Sequence, residues 1–188
     1  ATLLGHDMWR NSASARVAPV GARFGRSVAI SGNPTLGNTA LIGAPWDTPG
    51  VGGADYDAGT VDIYDYDGVV WAHEQTLSAD DAAAGDQFGI SVGVAANYAV
   101  IGAWESDAVG DASGTGYVFE FDGTTLTWEQ ELKLVASDGG PYDSVGFSAS
   151  VAIAGDTTVL GAAGHGHNGT NSGSAYVFSV PEPSALAL

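Results

Sequence analysis

Two kinds of residue in this chain could do chemistry: carboxylates gathered in glycine-rich stretches, and two histidines one residue apart. Asp47, Asp55 and Asp57 fall in one acidic stretch, and Glu105, Asp107 and Asp111 in another. Hard oxygen donors converging from one loop suit calcium. A third stretch of similar setting, GHGHNGTNSG, contains no acid. The feature is therefore not general, and solvated surface loops are the simpler expectation. His165-Gly-His167 could place two imidazoles on one side of an extended segment, as copper, nickel and zinc sites do. Without Cys or a nearby acid, the expectation there is an exposed, flexible loop. Asn168-Gly-Thr170 has the pattern of a glycosylation sequon, a reading that fails if the source is bacterial. Ser, His and Asp are abundant, but no nucleophile-elbow motif occurs. The glycine-rich segments lie between strand signals and open no helix, so they are not phosphate loops. The chain is expected not to be an enzyme. No cofactor is expected either, calcium being the one ion the acidic stretches would suit.

These stretches are positioned by a repeat. FGISVGVAANYAVIGA, residues 88–103, has counterparts in FGRSVAISGNPTLGNTALIGAP (24–45) and FSASVAIAGDTTVLGA (147–162). Phe88 to Phe147 is 59 residues and Phe24 to Phe88 is 64, the difference being the insert PTLGN in the first copy. A fixed period of this size marks units that bury their faces only against their neighbours.

Each unit carries strand signals in a fixed order. In the second they are GISVGVA, YAVIGA, GYVFEFD and LTWEQELKL. Hydrophobicity falls from the first two, which are nearly all apolar, to the last, which alternates with charge. This gradient suits a propeller blade, buried at its inner strands and wet at its outer one. Small residues recur at Ser27/Ser91/Ser150 and Gly43/Gly102/Gly161, and a glycine inside a strand marks a close backbone approach. Trp71 and Trp128, on the outer strands, are expected to pack between blades rather than to stack on sugars.

The third unit supplies three strands and then breaks at Pro181-Glu182-Pro183. The absent strand has a counterpart at the other end. Trp71 precedes Phe88 by 17 residues, Trp128 precedes Phe147 by 19, and Trp9 precedes Phe24 by 15. The expected architecture is all-β: three four-stranded blades, the last completed by an N-terminal strand from another chain. The divisions are residues 1–23 as donor arm, 24–87 as blade 1, 88–146 as blade 2, 147–179 as the incomplete blade 3, and 180–188 as the tail. Both ends are expected to be held by a neighbouring subunit.

Composition agrees and narrows the partners. The chain has 188 residues, 45% hydrophobic, with 28 Gly and no Cys, so disulfides and thiolate metal sites are excluded. Formal net charge is −17, unevenly placed. Arg10, Arg16, Arg23 and Arg26 all precede Ser27, where Asp7 is the only acid; the other 21 acids follow, against the single Lys133. An acidic body repels nucleic acid and anionic membrane, while a basic arm could dock on the acidic body of another copy. No apolar run reaches the roughly 18 residues that span a bilayer.

The pattern FG…SVAI…ALIGAP…YVF…W, in three copies over residues 24–178, resembles FG-GAP repeats, the blades of integrin-α-type β-propellers and of many bacterial surface proteins. The resemblance implies a propeller-like fold, an extracellular or cell-surface location and an interaction role without catalysis. The calcium loop of that family, an Asp/Asn-rich segment between the FG and GAP elements, is replaced here by SGNPTLGN, AAN and AGD, so its calcium does not carry over. VPEPSALAL at the end resembles the start of a PEP-CTERM sorting signal of exported bacterial proteins. The expected function is a structural protein that assembles with copies of itself, head to tail, into a filament. Trp9, Arg10, Arg16 and Arg23 would act in the donor arm, and Tyr176, Val177 and Phe178 would form the acceptor edge. The alternative is an integrin-like adhesion module that binds a protein or glycan ligand as a closed oligomer, such as a six-bladed dimer.

Overall fold

The repeat period reappears as three separate antiparallel sheets. The computed structural model describes residues 19–33, 37–49, 56–143, 150–166 and 172–180. Blade 1 contains β1 (Ser27–Asn33), β2 (Gly37–Ala44), β3 (Thr60–Tyr66) and β4 (Trp71–Leu77). Blade 2 contains β5 (Phe88–Ala95), β6 (Tyr98–Ala103), β7 (Thr115–Asp122) and β8 (Thr127–Leu134). Blade 3 contains β9 (Val151–Ala154), β10 (Thr157–Ala162) and β11 (Ser174–Ser179). Strands within each sheet neighbour one another in chain order. Among the described residues there is no helix, and hence none long and apolar enough to cross a membrane.

The burial of each strand follows its sequence. β6, YAVIGA, is buried throughout, as a run without alternation requires, whereas β8 buries Trp128 and Leu134 and exposes Glu129 and Glu131 between them. The residue before each Phe-Gly pair holds a left-handed backbone, Arg23 at φ 51° and Gln87 at φ 56°. After Gln87 the chain enters β5, which packs against β1 and β2 of blade 1.

Strand pairing sets the equivalence of positions between blades. Gly43 pairs with Val61, Gly102 with Gly116, and Gly161 with Ala175. Two cores lie between the three sheets. Leu41, Val61, Ile63 and Leu77 of blade 1 meet Phe88, Ile101, Tyr117, Phe119 and Trp128 of blade 2. Val100, Val118 and Leu134 of blade 2 meet Val151, Leu160, Tyr176 and Phe178 of blade 3. Blade 2 thus buries both faces, as stacked propeller units do.

The glycine expectation is borne out at the first joint. A Cβ on Gly43 would collide with the Gly89 carbonyl and the Ser27 hydroxyl, because the blade 2 backbone passes directly over it. Ser27 Oγ donates to that same Gly89 carbonyl at 2.7 Å. Gln75 closes the outer end of the joint: its side-chain oxygen accepts from Trp128 N (2.8 Å) and its Nε2 donates to Trp128 O (2.9 Å).

Candidate functional site

The acidic stretches resolve into a repeated structural lock. Asp47 is fully buried; its Oδ2 accepts from Thr60 Oγ1 at 2.7 Å and its Oδ1 from Thr48 N at 2.9 Å. Ser106 holds the same place in blade 2, accepting from Thr115 Oγ1 at 3.1 Å. His165 holds it in blade 3, with Nδ1 2.8 Å from Ser174 Oγ. The backbone repeats as well: Gly59, Gly114 and Gly173 donate to the carbonyls of Asp47, Ser106 and His165, at 3.0, 2.9 and 2.9 Å. An acid, a hydroxyl and an imidazole thus serve one purpose, pinning the loop between second and third strands onto the start of the third.

The expectation of an exposed loop at His165 is corrected by this arrangement. His165 is buried, with Tyr176 edge-on to its ring at 6.0 Å between centroids and Asp143 Oδ2 at 3.8 Å from Nε2. The other candidate acids are spread over local roles. The Asp57 carbonyl accepts from Gln87 N at 3.1 Å. Asp107 caps Ala112 N at 2.8 Å, and Asp111 lies 3.5 Å from the Tyr142 hydroxyl. Burial pushes the Glu105 carboxyl above its usual range. Among the described residues no group of three or more His, Asp or Glu is placed to hold a metal ion. Asp55, His167, Asn168 and Thr170 lie outside the described residues.

A tyrosine–aspartate pairing that the sequence did not suggest ties blades 2 and 3 to the connections before them. Tyr117, on β7, donates to Asp81 Oδ1 of the preceding connection at 3.0 Å. Tyr176, on β11, donates to Asp138 Oδ1 at 2.8 Å. The pairs are equivalent: the tyrosines are 59 residues apart and the aspartates 57. Lys133 Nζ joins the first pair, 2.5 Å from Asp81 Oδ2. Burial pushes Asp81 up, but the hydrogen bonds from Lys133 and Tyr117 outweigh it and hold the carboxyl below its usual range. Burial and then Asp138 push the Tyr176 hydroxyl up to about 12. At the equivalent place in blade 1 stands Asp62, which accepts from Thr76 Oγ1 at 2.5 Å and lies 3.1 Å from His73 Nε2. Blade 1 therefore lacks the tyrosine that would reach back to a preceding blade.

Trp128 is buried in the first joint, as expected for packing between blades, while Trp71 packs with Ala40, Ile42, Tyr64 and Phe24 on the outer face of blade 1. The acceptor residues Tyr176, Val177 and Phe178 all lie on β11, which pairs with β10 on one side; no described strand pairs with its other side. In blades 1 and 2 that side of β3 and β7 is taken by β4 and β8. Arg23 stacks over Trp46 of its own chain, 4.0 Å from the ring centroid. Trp9, Arg10, Arg16 and the tail lie outside the described residues.

Three four-strand phases, two filled and one with β11 at its margin, agree with comparison to known families. The FG-GAP repeat matches three times, at residues 14–64, 71–119 and 128–178. The chain belongs to the FG-GAP repeat family. The second and third matches start at Trp71 and Trp128, the first residue and the buried tryptophan of the outer strands, so the family unit begins with an outer strand and ends with the third strand of the next blade. No curated protein matches the chain. FG-GAP sheets of this kind form β-propeller modules, and the three sheets here are partial propeller blades.

Proposed function

We propose that this FG-GAP chain is a non-enzymatic, extracellular structural protein that assembles head to tail by β-strand exchange. The observation that carries the reading is β11, which among the described residues ends its sheet where β3 and β7 are each followed by a fourth strand. An exposed strand edge is satisfied by main-chain hydrogen bonds from an added strand. The segment around Trp9 has the tryptophan of an outer strand at nearly the spacing of Trp71 and Trp128. Its basic residues, Arg10 and Arg16, would meet a body bearing 21 of the 22 acids. A head-to-tail contact closes into a ring or runs on as a filament according to its rotation. The three described blades leave both open, since propellers close at four to eight.

Deleting residues 1–18 tests the reading. The intact chain is expected to scatter light as a polymer and the shortened one as a monomer or a disordered aggregate. Equal assembly of the two would remove the donor strand from the account. A discrete pair of intact chains would favour the second reading, a six-bladed adhesion module.

A further inference from the structure

Blades 1 and 3 each turn one apolar face away from blade 2, and these faces are the two halves of the joint already present twice among the described residues. On β1, Val28 is 70% exposed, whereas its equivalents Val92 and Val151 are 8% and 9% exposed. Ile30, one pleat further on, is 66% exposed, while its equivalents Val94 and Ile153 pack against the joints. At the other end Val177 on β11 is 67% exposed, and its equivalents Ile63 and Val118 are fully buried. Val159 on β10 is exposed where Leu41 and Val100 are fully buried.

Shape agrees as well. At the second joint the leading blade presents glycine and the following blade fills the space: Leu160 lies over Gly116, and Ile153 lies 3.6 Å from where a Cβ on Gly93 would stand. The outward face of blade 3 again presents small residues at these places, Ala175 and Ala152, and the outward face of blade 1 presents Ile30, while Ile42, the counterpart of Leu160, is already buried in the cluster with Tyr64 and Trp71. We propose that Val28 and Ile30 of one chain dock on Ala152, Val159 and Val177 of a second copy, forming a third blade joint between molecules. The proposal rests on the chain associating with itself, but not on how its arm is used. Because Asp62 replaces the reaching tyrosine in blade 1 and is satisfied by Thr76 and His73, this joint lacks the Tyr–Asp clasp. It is the weakest of the three joints and the place where the assembly comes apart.

Two double variants of the full chain test it by light scattering over a concentration series. Val28→Asp with Ile30→Asp spoils one end, and Val159→Asp with Val177→Asp spoils the other. Each alone is expected to need at least about tenfold more protein to assemble, since each removes the burial of two aliphatic side chains. Mixed in equal amounts, the two retain one sound pair of faces and are expected to stop at a two-chain species, which also shows that both are folded. The milder Val28→Thr and Val177→Thr, which keep shape and strand propensity, are expected to shift the midpoint in the same direction. If all variants assemble like the intact chain while deletion of residues 1–18 abolishes assembly, the face proposal falls and strand exchange stands. If the deletion is harmless and the face variants fail, the faces stand and the arm reading falls. An intact chain that stays single throughout overturns both.

Discussion

At the scale of single residues, position outranks residue type. Asp47, Ser106 and His165 share no chemistry, yet each occupies the same buried place and pins the same turn. Asp47 reads as a calcium candidate in the sequence because a carboxylate in a glycine-rich stretch looks like a ligand. Only the pairing of β2 with β3 shows it facing Thr60. Asp47→Ala would remove the buried carboxylate that accepts from Thr60 Oγ1 and Thr48 N, and thermal unfolding should show a loss of about 1–3 kcal/mol. Removing calcium with a chelator should leave that unfolding temperature unchanged. Trp128 gives a second residue-scale test. Its ring is buried in the first joint, but its indole nitrogen has no hydrogen-bond partner there. Trp128→Phe removes an orphaned donor while keeping most of the packing, and should cost far less in denaturant unfolding than Trp128→Ala, for which about 3–5 kcal/mol is expected.

Among elements, the joints between blades decide stability. Gly43 is the narrowest point of the first joint, and Gly43→Ala should separate the sheets at a cost of about 2–3 kcal/mol, read as a lower unfolding midpoint in urea. The strands themselves are legible in the sequence: the 59-residue period, the apolar run of β6 and the alternation of β8 each become the sheet, the buried strand and the half-buried strand that their patterns require. The clasp of Tyr117 on Asp81 is not, although Tyr117/Tyr176 and Asp81/Asp138 recur with the period. A tyrosine on a third strand looks like ordinary core until the connection of the preceding blade is placed over its hydroxyl. Ionisation of buried carboxyls adds a pH signature. Burial pushes Asp86, Glu105 and Glu120 above their usual range. A carboxyl with a raised folded pKa binds its proton more tightly in the folded chain. Its contribution therefore weakens the fold as pH rises through the interval between the unfolded and folded values. Asp81, held low by Lys133 and Tyr117, works in the opposite sense and loses its contribution as pH falls through its folded value. The raised groups act above the unfolded values, whereas Asp81, and likewise Asp67 and Asp122, act below them, so mild acidification from neutral pH should raise the unfolding temperature before stronger acid lowers it.

For the molecule as a whole, charge and shape point in different directions. A net charge of −17 on 188 residues opposes close packing of copies. The outward faces, however, are aliphatic at Val28, Ile30, Val159 and Val177. Screening should therefore aid the docking of faces and weaken the attraction of a basic arm for the acidic body. The measurement that tests the account most directly is the mass of the intact chain by light scattering across a wide range of protein concentration. Open head-to-tail assembly predicts a mass that starts from the 18.9 kDa of a single chain and climbs with concentration beyond two chains. A mass fixed at 18.9 kDa at every concentration would contradict it.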